Sequence, residues 1–199
     1  MAQARVKARS ARRESVFGER FALFAECLLT GVWIAVACLG VVTYPAAFAA
    51  GARHLRRRTT HEDGGLREFV EDFRAAVRGG WVVGLAGWAV AAAVRVDVLA
   101  ARAGLPGGPF VGAVGVLALI GLAVALLRAA ADWSPGRAWR ALLADAGRRT
   151  VLDPAGSFLV VCGLAVVSLS AWFVAPLAVP VLGAVAGAAV AVERRYRHR

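Results

Sequence analysis

Apolar residues in this chain gather into long blocks separated by short charged connectors. Residues 27–52, 103–127 and 154–192 hold no Asp, Glu, Lys or Arg, and 79–94 form a fourth, shorter run of the same kind. A stretch of about 18 uncharged apolar residues is long enough to cross a bilayer as a helix. The pattern therefore predicts an all-α, polytopic transmembrane helical bundle. As a single helix the last block would be roughly 58 Å long, about twice a ~30 Å hydrocarbon core. Pro176 and Pro180 lie in its middle, where each removes a helical hydrogen bond. Spans are accordingly read at about 156–174 and 177–192, joined by a tight turn. Two more are read at 79–101 and 109–127, with "GLPGGP" at 104–109 as the turn between them.

The first run is less regular. Counted from Phe21 it reaches Ala52, but "VTYPA" at 42–46 interrupts it, because Pro45 pushes Tyr44 away from helical geometry. One reading is a single span over about 21–52. The other is a helix to about Leu39, a break near Pro45, and a shorter helix over about 45–58 that turns back.

Two segments between the blocks have a different period. In "LREFVEDFRAAVRGGW" (66–81), Leu66, Phe69, Val70, Phe73 and Val77 fall on one face of a 3.6-residue helix and the charged residues on the other. In "SPGRAWRALLADAGRR" (134–149), Ala138, Trp139, Leu142, Leu143 and Ala146 make the apolar stripe. Ser134 is placed as the N-cap, Pro135 at the first helical position, and Arg148 and Arg149 at the C-terminal end, where cations suit the dipole. The order amphipathic helix, span, Gly/Pro turn, span thus occurs at 66–127 and again at 135–192. Both amphipathic helices are expected at the cytoplasmic interface, apolar faces toward the acyl boundary or the bundle. Residues Leu66, Phe69, Val70, Phe73, Val77, Trp139, Leu142 and Leu143 are the candidate face for docking a partner.

Charge sets the expected orientation. The 199 residues carry 24 Lys and Arg against 13 Asp and Glu, a formal net charge of +11. The basic residues sit in the gaps between apolar blocks, with six in 1–20, seven in 53–79, two in 95–108, five in 128–154 and four in 193–199. That distribution is how membrane topology is written, and it argues against a nucleic-acid-binding face. From residue 53 onward the positive-inside rule gives a clean alternation, with the C-terminus cytoplasmic. Both flanks of the first run are basic, which favours the broken hairpin over the single span. The resulting layout is a basic cytoplasmic tail without order at 1–20, one helical domain at 21–192, and a second basic cytoplasmic tail at 193–199.

Composition offers little chemistry. Hydrophobic residues are 59% of the chain, against about 45–50% in soluble domains. Cys27, Cys38 and Cys162 lie in apolar runs and read as packed free thiols. His54, His61 and His198 show no metal-ligand spacing. No Walker A, G-x-S-x-G or H-E-x-x-H is present. No enzymatic role and no cofactor are expected. Glu26, one residue ahead of Cys27, is the one carboxylate embedded near an apolar run and the candidate intramembrane polar group. Arg95 and Asp97 read as structural. "GAVAG" at 183–187, and Gly80, Gly84 and Gly87, are candidate close-packing faces.

"GVVTYPAAFAAGARHLRR" followed by "GGLREFVEDFRAAVRGGW" resembles the YesL-like family of bacterial membrane proteins, whose function is unknown. Thr43, Pro45 and the Ala run match the break after the first span, Phe69 and Phe73 match the F-x-x-x-F helix, and Asp153-Pro154 precedes a span as in the family. Arg78-Gly79-Gly80 stands where many members have Asn after the second Phe. The resemblance spans most of residues 20–192. It implies a five- or six-helix protein of the inner membrane or plasma membrane of a bacterium, often encoded near carbohydrate uptake systems. The expected role is an accessory component beside a membrane transporter subunit, with the lipid bilayer as the constant partner and no nucleic acid. The alternative is a small transporter or channel in its own right.

Overall fold

A computed structural model describes residues 25–60, 62, 64–104, 107–173 and 175–197. The basic N-terminal tail lies outside them. Every element among the described residues is helical. Helix α1 covers 25–37 and tightens into one 3-10 turn, Cys38–Gly40. It is followed by α2 (Tyr44–Thr59), α3 (Leu66–Arg102), α4 (Gly108–Asp132), α5 (Trp139–Leu152), α6 (Pro154–Phe173) and α7 (Ala175–Arg197).

The first apolar run is a helical hairpin. Its tip, residues 38–43, includes Val41 at φ 52°, a strained conformation for a β-branched residue. The Thr43 hydroxyl donates to the Ala37 carbonyl at 2.7 Å, and the Trp88 indole donates to the Val41 carbonyl at 3.0 Å. Pro45 sits in the first turn of α2, where its missing N–H costs nothing. The two open ends are tied together, since Glu26 near the start of α1 pairs with His54 and Arg58 near the end of α2. Both flanks of the run therefore lie at the same end of the bundle.

Helix α2 is the centre of the packing. Residues 45–52 are all buried, and Ala46, Ala47, Ala49, Ala50 and Ala52 are sealed completely. A helix that is apolar all round belongs inside. Its small side chains let α1, α3, α4 and α7 close around it. Glycines on those neighbours do the same. A Cβ on Gly84 would strike the Val42 carbonyl, one on Gly80 would crowd Ala46, and one on Gly183 would strike the Cys27 carbonyl. The stripe at 80, 84 and 87 and the first glycine of "GAVAG" are thus contact faces.

The amphipathic segment at 66–78 is not a separate interfacial helix, contrary to the sequence expectation. It runs unbroken into the following span as the 37-residue α3, roughly 55 Å long. No Pro or cap stands between the two parts, and the Glu68 carboxylate secures the start by accepting the Gly65 N–H at 2.7 Å. In the second unit, α5 begins at Trp139 instead of Pro135. Residues 134–138 form a turn around Gly136, at φ 86°, so Ala138 and not Ser134 holds the N-cap. Asp153 then starts α6, accepting the Gly156 N–H at 3.2 Å. Helix α7 starts at Ala175 and passes through Pro180, so the fold-back lies ahead of both prolines. Gly104 and Gly107, both with positive φ, make the α3–α4 turn.

Helices α3, α4 and α6 are each long and apolar enough to cross a membrane, and only 17%, 17% and 11% of their apolar windows are buried. The outer surface there carries Trp88, Phe110, Leu117, Phe158, Leu169 and Trp172, the last 86% exposed. An apolar belt of this extent faces lipid. The chain is a helical membrane protein. Its core lies to one side of this belt and joins Phe69 of α3, Trp133, Trp139 and Leu142 with the small residues of α2 and α7.

Candidate functional site

All of the ion pairs among the described residues are gathered at one end of the bundle, where the apolar spans stop. Apart from the exposed Arg67–Glu71 pair on α3, they form two clusters. In the first, Arg128 follows directly on the charge-free block that makes α4, and it is fully buried. Its guanidinium reaches three other helices. Nε donates to Glu193 of α7 at 2.7 Å, one terminal nitrogen donates to Asp153 at the start of α6 at 3.1 Å, and the other donates to the Arg149 carbonyl of α5 and the Ser157 hydroxyl, both at 3.1 Å. The Tyr196 ring lies 5.8 Å from its centre. The planar fork of Arg suits several fixed acceptors at once. Arg149 extends the cluster to Glu193 and, at 3.3 Å, to Asp132, which also accepts from Arg137 at 2.9 Å.

The second cluster joins α1, α2 and α3. Arg53 and Arg57, one turn apart on α2, share Asp72 of α3 at 3.2 and 3.0 Å. His54, also fully buried, meets Glu26 at 3.2 Å, and Arg58 meets the other oxygen of Glu26 at 2.9 Å. Trp33 presents its ring to His54 at 5.0 Å and to Phe69 at 5.4 Å. Glu26 is therefore the partner of a buried histidine and an arginine, and it ties the hairpin shut.

The clusters meet across a gap between α2, α4 and α7. Arg56 donates to the Trp133 carbonyl, and Arg194 approaches the Arg56 carbonyl at 3.5 Å. Between them is a cavity of about 390 Å³ bounded by Arg53, Arg56, Arg57, Asp132, Glu193 and Arg194. A second cavity, about 370 Å³, lies among the spans. Its walls are aliphatic and aromatic, including Phe48, Trp88, Leu122, Leu126 and Leu182, with Tyr44 and Cys38 at the hairpin tip.

The proposed docking stripes turn inward. Phe69, Trp139 and Leu142 are buried in the core, and Val70, Phe73, Val77 and Leu143 are half-buried against it. Leu66 alone of the eight is exposed. The physical reason is that α3 packs chiefly on α2 and α5 chiefly on α4, and the two helices touch each other at one place. The Trp139 ring lies over Gly79 and Gly80 and its indole N–H donates to the Ala76 carbonyl at 3.1 Å. Apart from Leu66, the stripes are taken up by the core of the bundle. Arg95 is exposed and Asp97 half-buried at the opposite end of α3. Among the described residues no group of three His, Cys, Asp or Glu has metal-binding geometry.

The buried ionic residues were not singled out by the sequence reading. A signal for them exists. Arg128 and Glu193 each terminate a charge-free block, with opposite sign and on the same expected side of the membrane. No protein-family model, curated protein or solved structure matches the chain.

Proposed function

We propose that this is a multi-pass protein of a bacterial inner membrane, with its ionic end and C-terminus cytoplasmic, that serves as a non-enzymatic accessory component beside a membrane transporter. The observation that carries the reading is the separation of charge from the spans. Ionic side chains bind helices to one another at one end, and the cavity among the spans is lined by apolar side chains that a polar solute does not favour. A permeation path uses polar groups at membrane depth. Arginines at the ends of α2 and α7 and along α5 support the orientation through the positive-inside rule. A partner in this reading meets the exposed belt of α3, α4 and α6 within the membrane, since the amphipathic stripes are occupied by the core. Carbohydrate uptake as the setting rests on the YesL-like resemblance.

The test is isolation of the tagged protein from its own membranes in mild detergent. A stoichiometric complex with a permease subunit is the expected result. A single monodisperse species with no membrane partner, from cells expressing the uptake system, contradicts it. A small transporter is the second reading, and Glu26 is its focus. Proteoliposome flux abolished by Glu26→Ala in a protein that keeps its helicity favours it over the first.

A further inference from the structure

The hairpin of α1 and α2 stops partway along the spans. Its tip is level with the middle of α3, since the Trp88 indole donates to the Val41 carbonyl at 3.0 Å and a Cβ on Gly84 would strike the Val42 carbonyl. Trp88 stands nine residues beyond Gly79, where the charge-free run of α3 opens, which is roughly 14 Å along the helix. Helix α3 continues to Arg102, roughly 21 Å further. The tip therefore sits near half the depth of a ~30 Å hydrocarbon core. Backbone at that depth has no water to bond and must be satisfied within the protein. The tip meets this demand locally. The Val41 N–H donates to the Cys38 carbonyl at 2.9 Å, and the Ala37 and Val41 carbonyls accept from Thr43 and Trp88.

The apolar cavity of about 370 Å³ lies at this tip and shares its depth, for Cys38, Tyr44 and Trp88 are part of its wall. Leucines of α4, α6 and α7, namely Leu119, Leu122, Leu164 and Leu182, form much of the rest, and no wall residue is charged. An empty space of this size forfeits dispersion contacts along its lining, and an apolar wall offers water too few partners to hold it. Continuity with the lipid-facing belt identifies what fills it. Trp88 belongs both to the wall and to the exposed belt, and Leu119, Leu122, Leu164 and Val167 of the wall are only half-buried. The cavity thus opens sideways onto hydrocarbon. We infer that it binds one acyl chain of a membrane lipid, which enters from the belt and lies against the hairpin tip. The chain is held by the shape of the wall, and the headgroup contributes little because the wall presents no charge to it. The inference uses the lipid-facing belt and is independent of whether the protein accompanies a transporter.

The experiment titrates the full-length protein in detergent micelles with dioleoylphosphatidylcholine, dioleoylphosphatidylglycerol and dihexanoylphosphatidylcholine, and counts adducts by native mass spectrometry. Wild type is expected to retain one long-chain lipid per protein, with similar affinity for the two dioleoyl lipids, and not to retain the short-chain one. Ala123→Phe on α4 and Ala91→Phe on α3 each place a ring in the cavity from a different wall. Each is expected to lower affinity for the dioleoyl lipids about tenfold, with the thermal unfolding midpoint kept or raised, which separates a filled site from a lost fold. Leu169→Phe, on the exposed belt of α6, is expected to bind as wild type does. The inference is overturned if wild type retains no long-chain lipid, if the anionic headgroup alone decides retention, or if a second copy of the chain is carried in place of lipid. It is equally overturned if a folded Ala123→Phe or Ala91→Phe protein binds as tightly as wild type, or if Leu169→Phe weakens binding by the same factor.

Discussion

Arg128 is the residue on which most of the polar end converges. It is fully buried, and its partners come from α5, α6 and α7. Removing one member of a buried ionic set leaves the others without a counter-charge, which typically costs about 3–5 kcal/mol. Arg128→Ala is expected to lower the thermal unfolding midpoint in detergent sharply, while Arg67→Ala, which breaks an exposed i,i+4 pair with Glu71, leaves the midpoint in place. Equal shifts for the two variants would deny Arg128 its role. Glycines divide in the same manner. At Gly183 a side chain would collide with the Cys27 carbonyl of α1, whereas nothing lies within 4 Å of a Cβ on Gly147 of α5. Gly183→Leu is expected to destabilise by about 1–3 kcal/mol. Gly147→Ala is expected to stabilise by up to about 1 kcal/mol, because alanine is the better helix former. Thermal midpoints of both proteins check the pair.

At the scale of elements, hydrophobic blocks and their punctuation were legible and the partners of the amphipathic stripes were not. Spans at 79–101, 109–127 and 156–174 reappear as parts of α3, α4 and α6, because twenty apolar residues without a charge have few alternatives to a helix in lipid. The glycine faces on α3 and α7 were legible as well. Periodicity at 66–78 correctly identified a two-sided helix, but periodicity does not say what the apolar side meets. Here Trp139 of α5 fits over Gly79-Gly80 of α3, while α3 otherwise packs chiefly on α2 and α5 chiefly on α4. The Ala run of 46–52 shows no amphipathic period in the sequence. It is the buried axis of the fold, and its value lies in the close approach that small side chains permit, which hydropathy does not register. Buried charge was legible only as the block-ending positions of Arg128 and Glu193, and its pairing was not, for a related reason. The cost of placing Arg128 in the interior is offset by two acids, Glu193 of α7 and Asp153 ahead of α6, and by the Arg149 carbonyl of α5, and their proximity is a property of the tertiary arrangement. Trp139→Ala tests the α3–α5 junction directly. Loss of the ring and its hydrogen bond is expected to cost about 3–5 kcal/mol and to make the α5 amides exchange with deuterium faster, with α6 unaffected. Unchanged exchange in α5 would show that the helix is held by other contacts.

For the whole molecule, the arrangement is a set of apolar helices joined at one end by a charged base. The hairpin of α1 and α2 enters from that base, and the 16 residues of α2, about 24 Å long, fall short of a ~30 Å core. The N-terminal side of the hairpin and the α5 connector consequently belong to one face of the membrane, and the α3–α4 turn to the other. In a cysteine-free background, Arg5→Cys and Arg140→Cys are expected to resist an impermeant thiol reagent in intact cells and to react after lysis, while Arg102→Cys reacts in both. Labelling of residue 5 from outside would break the hairpin account. Beneath this topology lies the claim that lipid covers the belt formed by α3, α4 and α6, and extraction of isolated membranes with alkaline carbonate tests it most directly. The account predicts that the chain stays entirely in the membrane pellet and is released only by detergent. Recovery of the chain in the carbonate supernatant would contradict it.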